Sequence, residues 1–69
     1  MPLTMIDTGA KGTIKKVGGS AETRRFLENL GFVVGETVTV LSAFGGNMIG
    51  SIKDSRVAIN SDMAMNIIV

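Results

Sequence analysis

The sequence contains no cysteine, no histidine and a single proline among its 69 residues. Without cysteine, the chain can form neither disulfides nor thiolate metal sites, and this absence fits a reducing cytoplasm. Without histidine, it lacks the usual general base and the commonest zinc ligand. The serines stand in no nucleophile-elbow pattern, and the glycine-rich stretches lack the Walker A spacing. These absences predict that the protein is not an enzyme.

Charge and apolar patterning limit the partners further. Seven Lys+Arg against six Asp+Glu give a net charge of +1, which is too near neutral to predict a polyanionic partner. The three phenylalanines provide no stacking platform along a basic groove, so we expect no nucleic-acid binding. No apolar run approaches the roughly 20 residues that span a bilayer, and the first residues do not resemble a signal peptide. We therefore expect a soluble cytoplasmic protein that is not itself in the membrane.

Length and composition predict one small domain over residues 1–69. The hydrophobic content is 45% but the aromatic content only 4%, and there are nine glycines, so we expect an aliphatic core with many tight turns. Domains this small have marginal cores, and without disulfides they often gain stability from self-association. The composition thus allows a weak homo-oligomer.

One segment, residues 20–31, has helical periodicity. Ser20 can cap the helix N-terminus, and an apolar stripe includes Phe26, Leu27 and Leu30. Gly31 then stands where a left-handed residue ends a helix. After it, Gly35 occupies the turn position that needs a positive φ.

The remaining segments alternate as short strands. In the first, over residues 12–19, Ile14 and Val17 are three apart, so either the strand bends to bury both or one of them faces solvent. The clearest alternation is at 36–41, where Val38 and Val40 point inward. The rest of the chain reads as a loop (42–47), strand three (48–53), strand four (56–60), a helical turn capped by Ser61 (61–65) and a last strand (66–69).

Five short strands with tight turns cannot make a useful two-layer sandwich, because each layer would be too small. Closure removes sheet edges more economically. The sequence therefore predicts a mainly β fold, a small five-stranded SH3-like barrel. One short α-helix follows the first strand, and a short helical turn precedes the last strand.

A candidate partner interface involves outward apolar residues. Ile49 faces outward from strand three, Phe44 lies in the preceding loop, and Met63 and Met65 lie in the helical turn. If these side chains converge, they form an apolar patch of the kind that marks interfaces. Exposed basic residues of the helix, Arg24 and Arg25, could rim it. For each residue taken alone, core filling or an ordinary solvated surface is the alternative.

The sequence identifies no metal site. Its six acidic residues are spread about one per element, whereas hard-cation sites usually cluster several carboxylates in one loop. Met63 and Met65, close to Asp62, could assist a soft metal, but methionine as core filler is the favoured interpretation. We therefore identify no cofactor from the residues.

Four segments of the chain form a recognisable pattern. They are Leu-x-x-Ile-x-x-Gly from Leu3, Gly-x-Ile-x-x-Val-x-Gly from Gly12, "FLENLGFVVGETVTV" from Phe26 and "VAINSDMAMNIIV" from Val57. Together these segments resemble the FeoA family, small proteins of bacterial ferrous iron transport whose barrel also forms the C-terminal domain of repressors of the diphtheria-toxin-repressor type. The third is the most specific, and its signature residues are Leu27, Leu30, Gly31, Gly35, Val38 and Val40. The chain departs from the family pattern at Phe26 and Asn60, where the family often has a basic residue, and at Val34, where it usually has proline.

The resemblance implies an accessory function without enzyme activity. Such a protein is expected to bind the cytoplasmic part of FeoB, the membrane permease with a GTP-binding domain, and to support ferrous iron uptake. The alternative is a metal-sensing barrel that binds a transition metal, because family members are commonly described as transition-metal binding.

Overall fold

The computed structural model describes every residue from Met1 to Val69. The chain order is a 3-10 turn (Leu3–Met5), β1 (Lys11–Thr13), β2 (Lys16–Val17), α1 (Ala21–Leu30), β3 (Thr37–Phe44), β4 (Asn47–Ile52), β5 (Ser55–Asn60), α2 (Ser61–Ala64) and β6 (Ile67–Ile68). One antiparallel sheet has the order β1-β3-β4-β5, and β2 pairs with β6 in a second. The predicted mainly β class is confirmed, with six strands where the sequence predicted five.

The extra strand arises because the predicted first strand divides. The backbone of Ile14 still bonds to the β3 side, donating to Glu36 O at 2.9 Å and accepting from Gly35 N at 2.8 Å, whereas Lys15 N donates to Ile68 O at 2.7 Å. The chain therefore passes from one sheet to the other between these two residues. Both Ile14 and Val17 are buried, so of the two interpretations the bend is correct.

Helix α1 begins and ends as its sequence predicts. The Thr23 N–H donates to the Ser20 Oγ at 3.1 Å, which satisfies one of the free amides at the N-terminus. At the other end Gly31 has φ 111°, and the N–H groups of Gly31 and Phe32 donate to the carbonyls of Glu28 and Leu27. This is a Schellman motif, which requires the left-handed conformation that glycine adopts without strain.

One cluster of twelve buried apolar residues forms the core, and it contains no buried polar or charged residue. Every element except β1 contributes to it, since the cluster comprises Leu3, Ile14, Val17, Leu27, Phe32, Val38, Val40, Met48, Ile52, Ile59, Ala64 and Ile67. Leu30 packs against this core while partly exposed. Phe26, predicted to join the helix stripe, is instead 47% exposed. The buried stripe centres on Leu27, and Phe26 lies about 100° around the helix from it.

The loop predicted at 42–47 is also wrong, because most of it is strand. β3 continues to Phe44, and the hairpin reverses in two residues, Gly45 and Gly46, with φ values of 57° and 78°. Two positive φ values define a type I′ turn, whose twist matches that of the flanking strands. The turn therefore keeps Phe44 paired with Asn47 across the hairpin.

The cap of α2 is likewise one residue earlier than predicted. The Met63 N–H donates to Asn60 Oδ1 at 2.8 Å, so Asn60 caps the helix and Ser61 is its first residue. The Ser61 N–H is held by the Gly46 carbonyl at 2.8 Å. This bond fixes the start of α2 against the β3–β4 turn.

Candidate partner-binding surface

A β-bulge decides which way the end of β3 faces. Val38 and Val40 are buried, so strict alternation would turn Ser42 and Phe44 inward as well. The pairing register shifts between Val40 and Ser42, and the extra residue, Leu41, reverses the facing of the rest of the strand. Phe44 is therefore directed outward and is 69% exposed.

The same register places Phe44 and Ile49 on one face. Ser42 pairs with Ile49, and directly paired residues of antiparallel strands share a face. Phe44 is two residues from Ser42 and so lies on that face too, diagonal to Ile49. Ile49 pairs on its other side with Ala58 of β5, which is exposed, while Ile49 itself is partly buried. The outer sheet face thus carries an apolar strip of Phe44, Ile49 and Ala58.

A pocket with a volume of about 220 Å³ lies beside the β3–β4 turn. The turn and its flanking strand ends form one wall, residues 43–48, and the other side is formed by Thr4, Ile6 and Ser61. Phe44 belongs to both the pocket and the outer apolar strip. It is therefore the residue at which two apolar surfaces meet.

The remaining predicted interface residues lie on other elements. Met65, 57% exposed, ends α2, and Met63 is partly buried against the core. Arg24 and Arg25 are exposed on α1. None of these four residues lines the pocket beside Phe44. The structure brings together Phe44 and Ile49 from the predicted set on one sheet face, while the other four residues lie on α1 and at α2.

Charge on the surface is largely unpaired. The one salt bridge joins Lys53 Nζ to Glu36 Oε1 at 3.6 Å, and both side chains are substantially exposed. Neither Arg24 nor Arg25 lies within ion-pairing distance of a carboxylate. The guanidinium groups of α1 are therefore free to contact an acidic partner.

The structure contains no group of three or more histidine, cysteine, aspartate or glutamate residues arranged to hold a metal ion. Neither helix has the length and apolar character of a membrane-spanning segment.

Sequence reasoning does not find two other exposed apolar side chains, Phe26 and Leu41. It places Phe26 in the core, although a residue about 100° around the helix from Leu27 lies at the edge of the buried stripe. Leu41, 40% exposed, is the bulge residue, and no local signal marks a bulge in an otherwise regular alternation. Val34 in the corner is 66% exposed, as a turn position predicts.

Known structures share this architecture. An iron uptake regulatory protein (FeoA) has a TM-score of 0.90 at 28% identity, over 97% of this chain and 91% of that one. FeoA from Stenotrophomonas maltophilia, crystallised with zinc and described as an SH3 domain protein, has a TM-score of 0.88 at 23% identity, over 100% and 88%. A manganese-dependent transcriptional repressor has a TM-score of 0.89 at 21% identity, but this chain spans 39% of it.

The two likenesses below 25% identity show the fold, and they confirm the predicted SH3-like architecture. Among curated proteins, none matches the sequence. The model of the FeoA domain, in contrast, matches residues 1–69. The chain therefore belongs to the FeoA domain family.

Proposed function

We propose that this protein is a small cytoplasmic accessory protein of bacterial ferrous iron uptake. In this proposal it has no catalytic activity of its own and binds the cytoplasmic part of the FeoB permease as a protein-interaction module. Family membership supports the role in ferrous iron transport. The observation that carries the binding role is the exposed Phe44, which stands where the outer apolar strip meets the pocket.

An exposed aromatic beside a pocket is the arrangement that anchors protein interfaces, because burying its surface on binding is favourable. Phe44 contributes little to the core, whereas Phe32 is fully buried in it. Arg24 and Arg25 supply unpaired positive charge on α1, which suits contact with acidic side chains and faster association. The predicted methionines, Met63 and Met65, belong to the proposed interface as adaptable apolar contacts.

Two measurements test this proposal. Deleting the gene in the native host should reduce ferrous iron uptake, and the protein should co-purify with the cytoplasmic part of FeoB. Failure of both contradicts the proposal. Phe44→Ser should weaken binding to the cytoplasmic part of FeoB by about tenfold or more, as expected for loss of an aromatic anchor. Val34→Ser is the matched control, since Val34 is equally exposed but lies in the α1–β3 corner.

A second candidate is a metal-sensing barrel. It is supported by the likeness to the zinc-complexed FeoA and to a manganese-dependent repressor complexed with manganese. A metal bound by the folded state alone raises stability by about 2.7 kcal/mol at a hundredfold excess over its Kd. Titration with Fe(II), Mn(II) and Zn(II) while following the melting temperature tests this candidate, and no shift at excess metal rejects it.

A further inference from the structure

The outer edge of β5 has no partner strand. β5 has β4 as its single neighbour in the sheet. None of the backbone hydrogen bonds formed outside the regular elements begins or ends at residues 55–60. Because exposed strand edges pair readily with other chains, proteins usually shorten, cover or charge them. A six-residue free edge is therefore a feature that needs an explanation.

The β4–β5 turn fixes which backbone groups face this edge. Lys53 and Asp54 have φ values of 50° and 63°, so the turn is type I′ and its flanking residues, Ile52 and Ser55, form a hydrogen-bonded pair. Hydrogen-bonded and non-hydrogen-bonded pairs alternate along antiparallel strands. The N–H and C=O groups of Arg56 and Ala58 consequently point away from β4, and both residues are exposed.

The other strand edges are shorter or covered. β1 has three residues, and at its centre Gly12 lies against Ile6 and Val69. β6 is flanked on its second side by the bridge between Pro2 and Ile68. Residues 41–44 of β3 extend beyond its pairing with β1, but this edge is shorter and begins at the bulge residue Leu41. β5 is therefore the longest regular edge on which a further strand could be added.

The side chains of the edge select the chemistry of an added strand. Six residues of β4 and β5 lie on the outer face, and none is acidic: Asn47, Ile49, Ser51, Arg56, Ala58 and Asn60. Arg56 carries the positive charge of this group, and no carboxylate lies within ion-pairing distance of it. Opposite charges on directly paired residues stabilise a sheet, and like charges destabilise it. An added strand with an aspartate or glutamate opposite Arg56 is thus favoured.

Charge also distinguishes a foreign strand from a second copy of this chain. A second copy would present its own β5 residues, Arg56, Ala58 and Asn60, and these include no carboxylate to meet Arg56. Next to Arg56 along the strand, the small side chain of Ala58 leaves room for a larger apolar residue of the incoming strand. That residue would pack toward Ile49, which pairs with Ala58 from the other side.

We infer that β5 binds its protein partner by strand addition, taking up an extended segment that places an acidic residue opposite Arg56 and an apolar residue opposite Ala58. In this mode the backbone hydrogen bonds supply affinity and the alternate side chains supply specificity. The inference rests on the proposed function, since it takes the cytoplasmic part of FeoB as the protein that carries the segment. It assigns the interaction to an element outside the predicted interface residues.

Two pairs of variants test the inference by co-purification and by titration with the cytoplasmic part of FeoB. Ala58→Pro removes an edge-facing N–H without removing a bond to β4, so the fold should tolerate it as an edge-strand proline. Ala58→Thr keeps the N–H and is its control. Arg56→Glu reverses the charge, and Arg56→Lys preserves it. We expect Ala58→Pro and Arg56→Glu to weaken binding by about tenfold or more, and each control by less than about threefold.

Amide hydrogen exchange gives an independent readout. The amides of Arg56 and Ala58 should exchange quickly in the free protein and become protected in the complex.

The outcomes separate the inference from the proposed function. If FeoB binds the wild type and binds the folded Ala58→Pro and Arg56→Glu variants equally well, strand addition is overturned and the proposed function stands. No capture of the wild type overturns both. Sedimentation of the isolated protein tests the remaining alternative. If the protein forms a dimer that the Ala58→Pro substitution dissociates, β5 pairs with a second copy of this chain, and the inference is overturned.

Discussion

Gly12 lies so close to Val69 that a Cβ added at Gly12 would be 2.9 Å from the Val69 Cβ. The two residues belong to β1 and to the end of the chain after β6, so this contact joins the two sheets. The bare backbone of Gly12 lets Val69 and Ile6 close over β1. Both apolar residues pack on the core cluster from this side.

Gly12→Ala should therefore destabilise the protein by about 1–3 kcal/mol, the usual range for overpacking. The Ile6 side-chain tip, 2.8 Å from the added carbon, can rotate away, but the Val69 Cβ can move only with its backbone. Gly18→Ala is the control, because its added carbon would meet its nearest neighbour at 3.6 Å. Urea unfolding of both variants decides the prediction, and equal midpoints would contradict it.

The cap of α2 gives a second prediction. Asn60→Ala should cost about 0.5–2 kcal/mol, because it leaves the Met63 N–H without its side-chain acceptor. Ser61→Ala should change the free energy of unfolding by less than about 0.5 kcal/mol, as expected for a surface change that removes no such bond. Thermal unfolding of the two variants compares them directly. The reverse ranking would restore Ser61 as the cap.

The phenylalanines should differ sharply in their contribution to stability. Phe32 is fully buried and Phe26 is 47% exposed. Phe32→Ala should cost about 3–5 kcal/mol, which is most of the stability expected of a domain this small. Phe26→Ala should cost much less, since much of its surface already contacts water. Urea titration followed by circular dichroism measures the free energy of unfolding of both variants. A large decrease for Phe26→Ala would place that side chain in the core.

The Lys53–Glu36 ion pair should contribute little. The two side chains are 57% and 36% exposed, and ion pairs in such positions contribute about 0.2–1 kcal/mol. Lys53→Met should shift the urea midpoint only slightly, and raising the salt concentration should have a similarly small effect. A loss well above 1 kcal/mol would mean that Lys53 has a further structural role. Glu36→Gln serves as the partner variant for a double-mutant cycle.

The parts of the fold that sequence predicts well are those set by neighbouring residues. Ser20 and Gly31 delimit α1 because caps act within one helical turn, and the alternation of Val38 and Val40 reports the buried face of one strand. The division between Ile14 and Lys15 is not predictable in the same way. It depends on Glu36 and Ile68, which are distant in sequence and become neighbours only on folding.

The candidate site obeys the same rule. The apolar character of Phe44 and Ile49 and the strand alternation identify them as candidate interface residues. Their position on one sheet face, however, depends on the bulge at Leu41, which changes the register without a local signal. Reading residues 42–47 as a loop conceals this relationship. The free edge of β5 is a property of the whole sheet, so the residues of "RVAIN" alone do not reveal it.

The two type I′ turns have a consequence for the order of folding. β3, β4 and β5 are joined by reversals of two residues, so pairing them closes very short loops and costs little chain entropy. The second sheet must bring Lys16 to Ile68, a closure across most of the chain. Since non-local pairings form more slowly than local ones, the β3–β5 meander is expected to assemble first. The chain ends then join last, on a surface that the meander and α1 have already formed.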